Sequence, residues 1–301
     1  MRVFLTGATG FVGSHVLKEL LAAGHQVTGL TRSDAGGRWL VQAGASVHRG
    51  TLEDAGSLAR GAEQADAVIH TAFDHVFSRY LENCAKDARV ISAMAEVLKG
   101  SNRPLIITSA TGIGAPGAGL PAVEEVVDWA HALPRIASER AGREAADKGV
   151  SVAVVRLPQV HDTEKQGLIS PLIDIGRAKG VSAYVGDGSN HWSAVHIDDA
   201  ARLYRLALEH HEAGARYHAV AEEGVSMRQI AETIGAGLGV PVLALQADEV
   251  VGHFGWLAPF MAMDMRASSA ATRRRLNWTP TGPDLLTDLK AMDYRKLRTA
   301  S

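Results

Sequence analysis

The sequence predicts an α/β fold: a doubly wound parallel sheet with a smaller C-terminal lobe interleaved with it. Three observations predict it. Short apolar runs alternate with amphipathic helical patterns as far as Pro158, the rhythm of parallel strands joined by crossover helices. The first strand enters a glycine-rich turn that opens a helix. Past Pro158 the alternation breaks, and Gln159 to His191, then Glu222 onward, read as chain leaving the sheet where ligands bind in such folds.

The elements follow in order. Val3-Phe4-Leu5 is an uncharged strand leading into Thr6-Gly7-Ala8-Thr9-Gly10-Phe11-Val12-Gly13. Val16, Leu17, Leu20 and Leu21 then mark one helix face, Gly24 stops the helix, and Gln26 to Leu30 is the second strand. A short helix around Trp39 to Val41 precedes a third strand, Ser46 to Gly50, and Thr51 to Asp54 starts another helix. Ala67 to Ala72 is the fourth strand, Val90, Ile91, Met94, Val97 and Leu98 mark a long helix, and Pro104 to Ser109 is the fifth strand. Gly112 to Gly119 reads as a mobile loop, Val123 to Lys148 as a helical region broken near Pro134, and Val152 to Leu157 as the sixth strand. Ala200 to Leu208 reads as a helix packed on the sheet, with Tyr217 to Val220 as a further strand. The expected division is a dinucleotide-binding domain over 1–158, its sheet completed by about 192–221, and a substrate lobe from 159–191 and 222–301.

Composition narrows the class. The 301 residues are 46% hydrophobic and carry a formal net charge of −2, enough for a large core and without a basic surface for nucleic acid. A single Cys84 excludes an internal disulfide, and no helical zinc motif is present. The apolar run at Val3 reads as a strand, and no run reaches the roughly 20 apolar residues of a membrane span. A cytoplasmic protein with a small-molecule substrate, monomeric or homodimeric, without nucleic-acid or membrane partners or a metal, is expected.

The first βαβ unit makes this domain Rossmann-type and points to a dinucleotide. Unpaired N–H groups at a helix N-terminus hold a pyrophosphate if the turn lacks side chains. Gly7 permits the turn, Gly10 the approach and Gly13 the helix packing. At the end of the second strand an acidic residue would select NAD(H). Thr31-Arg32-Ser33 stands there instead, a guanidinium and two hydroxyls suited to a 2′-phosphate. NADP(H) is therefore favoured over NAD(H), although Asp34 lies beside it.

The chain resembles the extended or atypical short-chain dehydrogenase/reductase superfamily, in its NAD-dependent epimerase/dehydratase branch. The likeness spans the glycine turn, His70-Thr71-Ala72, Thr108-Ser109-Ala110-Thr111, Val155-Arg156-Leu157-Pro158, Val195 to Ala200 and Leu276 to Pro280. It implies cofactor contacts from the glycine turn (Gly7, Thr9, Gly10, Phe11, Val12 and Gly13), from Thr51 and Leu52 after the third strand, and from His70, Thr71, Ala72 and Phe73; Thr31, Arg32 and Ser33, and the strand-end residues Thr108, Leu157 and Pro158, are further cofactor-binding candidates. Thr51 stands where the superfamily commonly has an adenine-contacting aspartate.

The superfamily's catalytic Tyr with a Lys four residues on is missing: none of the five tyrosines has such a Lys. Arg135 stands at the Tyr position and Glu139 at the Lys position. Arg cannot trade protons at ordinary pH but can stabilise a developing oxyanion. Glu139 is a proton donor if burial raises its pKa; alternatively the two residues pair on a helix surface. Ser109 remains to bind a substrate oxygen. Among thirteen histidines, His161, after the sixth strand, is the first choice for the proton. The expected activity is NADP(H)-dependent oxidation or reduction of a small carbonyl, alcohol, imine or enone, with Ser109, Arg135, Glu139 and His161 as catalytic candidates. A redox-silent NADP(H) sensor and an NADP-assisted epimerase or lyase are the alternatives.

Overall fold

The computed structural model describes residues 1–117 and 119–295; position 118 of the expected loop and 296–301 of the expected lobe lie outside the described residues. The chain begins β1 (Arg2–Thr6), α1 (Phe11–Ala22), β2 (Gln26–Thr31), α2 (Asp34–Gln42), β3 (Ser46–Arg49), α3 (Ala55–Glu63), β4 (Ala67–His70), α4 (Tyr80–Leu98), β5 (Leu105–Ala110), α5 (Ile136–Asp147) and β6 (Val152–Leu157). It continues β7 (Gln159–His161), α6 (Ile169–Lys179), β8 (Ser182–Val185), β9 (His191–His196), α7 (Ile197–Glu209), β10 (Arg216–His218), β11 (Glu222–Ser226), α8 (Met227–Leu238) and β12 (Val242–Leu245).

Seven strands form one parallel sheet in the order β3-β2-β1-β4-β5-β6-β10. The order reverses between β1 and β4, so the carboxyl ends of these two strands flank the crevice in which such sheets bind ligands. Alternation along β1 supplies both faces. Val3 and Leu5 pack with Val16, Leu17 and Leu20 of α1 and with Leu203 and Tyr204 of α7. Phe4 packs with Leu58 of α3 and Ile91 and Met94 of α4.

Three departures from the sequence reading have plain causes. The segment 192–221 divides, because β9 is taken between β7 and β11 in a separate three-stranded sheet, while α7 and β10 return to the large one. The segment before Pro134 is not helical: Ala122 bridges Ala267, and the Val123 amide donates to the Gly114 carbonyl, so tertiary partners claim its backbone. The expected mobile loop begins as a 3-10 turn, Thr111–Gly114, whose Ile113 is fully buried.

A second core belongs to the lobe. Ile169, Ile173, Trp192, Ile230, Ile234, Phe254 and Met261 share it. Trp278 donates its indole N–H to the Asp199 carbonyl, and the Asp199 carboxylate accepts the Thr281 and Gly282 amides. This locks the late Trp278-Thr279-Pro280 run onto the start of α7. Among the described residues no helix is long and apolar enough to cross a membrane.

Gly61 of α3 lies against the Phe4 ring, and a Cβ there would stand 2.4–2.7 Å from ring carbons. Gly61→Ala is expected to destabilise the chain by about 1–3 kcal/mol through overpacking, read as a lower midpoint in urea unfolding.

Candidate active site

The site starts at the turn between β1 and α1. Gly7 has φ +71°, and a Cβ on Gly13 would sit 2.0 Å from the Gly7 carbonyl oxygen. Only glycine fits at either position. Gly10 caps α1 with no side-chain hydrogen bond, and the first turn carries no acidic residue. The first amides of α1 are thus neither capped by a side chain nor opposed by negative charge, the donor set that an anionic pyrophosphate requires. Phe11 flanks this turn and meets the Lys165 ammonium 5.5 Å from its ring centre. Thr9 is exposed and Val12 half-buried beside it.

At the end of β2, Ser33 caps α2 by accepting the Gly36 amide at 3.1 Å, and Thr31 is buried. The Arg32 guanidinium is exposed and has no ion-pair or hydrogen-bond partner among the described residues. Asp34 is drawn away from it by Arg49, at 2.6 Å. After β3, Thr51 hydrogen-bonds Glu53 and Leu52 packs at the edge of the core.

The most constrained part lies between β4, α4, β5 and α5. Asp87 of α4 is 1% exposed and receives three side-chain donors. Arg135 Nη1 donates to it at 2.8 Å, Ser138 Oγ at 2.6 Å and His70 Nε2 at 3.0 Å. Burial alone would raise its pKa, but Arg135, then His70 and Ser138, hold it down at about 2. Arg135 Nη2 also donates to the Thr108 carbonyl at 2.7 Å, and its guanidinium lies 4.2 Å from the centre of the Phe73 ring. The remaining guanidinium N–H groups have no partner among the described residues. Ser109 follows Thr108 directly, and its Oγ is buried without a hydrogen-bond partner.

Several predicted residues have other duties. His70 is fully buried with both ring nitrogens engaged, Nδ1 with Thr6 Oγ1 at 2.6 Å and Nε2 with Asp87. Thr71 Oγ1 donates to the Thr6 carbonyl beneath the glycine turn. Thr108 Oγ1 donates to the His70 carbonyl and pairs with the Tyr204 hydroxyl. The polar side-chain groups of His70, Thr71 and Thr108 are therefore engaged within the protein, beneath the glycine turn and the end of β5. Ala72 and Phe73, and Leu157 and Pro158, are half-buried at strand ends.

Glu139 is corrected outright. It does not pair with Arg135. It is 1% exposed and grips Arg156 of β6 at 2.6 and 3.0 Å and Arg216 at 3.1 Å. Burial pushes its pKa up, but the two guanidinium groups outweigh this and hold it below the usual carboxylate range. Arg156 also meets His218, whose pKa falls to about 3 through burial and the Arg156 charge.

His161 is corrected as well. It is fully buried in β7, with Nδ1 2.7 Å from Asp288, its ring 5.8 Å from His196 and Glu222 at 3.9 Å. This cluster ties β7 and β9 to the helix Leu285–Ala291; none of its members contacts Asp87 or Arg135.

Asp87, Lys165 and His75 were missed by sequence reasoning. Asp87 had a signal: Cys84, Asp87, Ile91 and Met94 share the buried face of α4, so a carboxylate sits on an apolar stripe and demands a partner. Lys165 and His75 lie in loops and gave none.

The reversal of strand order and the glycine turn define a dinucleotide-binding enzyme of the extended short-chain dehydrogenase/reductase class. The chain belongs to the NAD dependent epimerase/dehydratase family, whose sequence model matches residues 3–221. This family is enzymatic and depends on nicotinamide dinucleotides. An uncharacterised protein of Schizosaccharomyces pombe is 46% identical, over 98% of this chain and 100% of its own length. The 2-alkyl-3-oxoalkanoate reductase of Stenotrophomonas maltophilia is 28% identical, over 80% of this chain and 77% of its own. Among solved structures, Thermus thermophilus UDP-glucose 4-epimerase in complex with NAD superposes with a TM-score of 0.75 at 20% identity, covering 98% of this chain and 99% of that one. No group of His, Cys, Asp and Glu placed to hold a metal ion occurs among the described residues.

The depressed pKa of Asp87 has a consequence for stability. Its stabilisation is fully present above the pKa of an unfolded aspartate, about 3.9, and is lost as pH falls from there through about 2. Asp87→Asn strips Arg135 of its buried counter-charge, expected to cost about 3–5 kcal/mol at neutral pH. It should also flatten the loss of stability in that acid window, as measured by thermal unfolding across pH.

Proposed function

We propose that this enzyme is an NADP(H)-dependent oxidoreductase acting on a small carbonyl or alcohol, or on a related C=N or C=C substrate. The observation that carries the reading is the Arg135 fork, fixed by Asp87 and by the carbonyl of Thr108, the residue before Ser109, whose hydroxyl is buried without a partner at the carboxyl end of β5. The reductase among its relatives supports it. Arg32, unpaired at the end of β2, supports NADP(H) over NAD(H).

Gly7, Gly10 and Gly13, with the first amides of α1 and Lys165, would hold the phosphates, and Arg32 the 2′-phosphate. The bound cofactor supplies or takes a hydride. Ser109 donates to the substrate oxygen, and the free N–H groups of Arg135 bond the same atom. Asp87 balances the guanidinium, so the pair is net neutral and acts through directed N–H groups. Such donors suit a neutral carbonyl and strengthen as its oxygen gains charge. The structural likeness to an epimerase favours a second reading, in which product forms with no net change in NADPH.

Fluorescence titration tests the cofactor: Arg32→Ala should weaken NADPH by about 10–100-fold, the worth of a charge-assisted hydrogen bond, and move NADH by less than about twofold. No affinity of the unaltered chain for either nucleotide would sink the reading. Arg135→Ala should lower kcat by about 10²–10³-fold against a panel of carbonyls followed by NADPH absorbance, and an unchanged kcat removes Arg135 from the chemistry.

A further inference from the structure

We infer that His75 is the proton-transfer residue of this site, its ring exchanging a proton with the substrate oxygen held by Ser109 and Arg135. The inference rests on the oxidoreductase reading and supplies the acid–base group that reading lacks. His75 lies in the segment between β4 and α4, at the topological switch point. Its ring centre is 5.1 Å from Phe73, the ring that carries the Arg135 guanidinium, and 6.1 Å from Phe77. Phe77 in turn stacks on Trp256 of the lobe at 4.2 Å. His75 thus stands between the fixed floor of the site and the aromatic contact that joins the two lobes.

The surroundings of the ring suit the task. The Phe73 backbone lies close to the ring and favours its charged form, but more weakly than the burial and the two cations that oppose it. The charged groups facing it are Arg135 from the start of α5, Lys165 from the loop after β7, and Asp74 beside it. Its pKa is lowered, first by the protein packed around it, then by Arg135 and Lys165. Yet the ring is exposed. A group crowded by protein and still open to water lines a cleft.

The step balances as follows. In alcohol oxidation the substrate O–H bond breaks and its proton passes to the neutral ring nitrogen. The electron pair of the C–H bond leaves as hydride to the oxidised nicotinamide, and the C=O bond forms. In reduction the imidazolium returns the proton to the oxygen. A lowered pKa keeps the ring neutral and competent as a base near pH 7, and oxidation fails as pH falls and the ring protonates.

Histidine-ring NMR of the full chain tests the placement, with the His75 signal assigned by its loss in His75→Gln. Addition of NADP⁺ should shift that signal, because the cofactor enters the cleft that the ring lines. In the carbonyl and alcohol assays, His75→Gln should bind NADPH normally and lose about 10²–10⁴-fold in kcat together with the acid limb of the oxidation profile. Added imidazole should partly restore His75→Ala. NADP⁺ binding with an unmoved His75 signal, or His75→Gln with unchanged rate and pH profile, overturns the inference while leaving the oxidoreductase reading intact. Absence of any nucleotide binding overturns both.

Discussion

A buried carboxylate must have its charge met, and the Asp87–Arg135 pair is where this chain meets that demand. Asp87 sits on the core-facing stripe of α4, among Cys84, Ile91 and Met94. Without donors it would be protonated or the helix would shift. Arg135, Ser138 and His70 bring those donors from α5 and β4, and Arg135 reaches on to the Thr108 carbonyl of β5. One carboxylate thus fixes four elements around the crevice. The geometry of the site is a consequence of solvating Asp87 with protein.

The same logic applies at Arg135 and Glu139, the positions at which the superfamily resemblance expects Tyr and Lys. With Arg at the Tyr position, a buried cation needs an anion, and Asp87 supplies it. With Glu at the Lys position, a buried anion needs cations, and Arg156 and Arg216 supply them. The two replacements do not pair with each other, although they lie one helical turn apart. Each faces a different neighbour: Arg135 turns to α4 and the end of β5, Glu139 to β6 and β10. Asp87 with Arg135 is neutral, and Glu139 with Arg156 and Arg216 carries one net positive charge, so no buried charge is left unmet.

Much of this architecture was legible. The parallel strands up to β6 followed from apolar runs and glycine stops, and the β1–α1 turn from spacing alone, because local sterics at Gly7 and Gly13 permit no other residue. The partners of Arg135 and Glu139 were not legible, since Asp87 and Arg156 come from other elements and only the fold brings them near. The small sheet was missed for a related reason. His191 to His196 is an ordinary strand in pattern, and whether it joins β10 or β7 is decided by tertiary packing, not by period.

His161 shows where reasoning by position goes astray. In a doubly wound sheet every strand ends at the same edge, so a histidine after β6 looks as well placed as one after β4. The edges are not equivalent: the crevice opens where strand order reverses, between β1 and β4, and the loops leaving β4 and β5 are its walls. Beyond β6 the chain turns into β7 and a separate sheet, and His161 goes with it to Asp288 and His196. The segment after β4 stays at the reversal, with Phe73 under Arg135 and Phe77 against Trp256. Strand order, rather than distance from a motif in sequence, decides which histidine stays near Phe73 and Arg135.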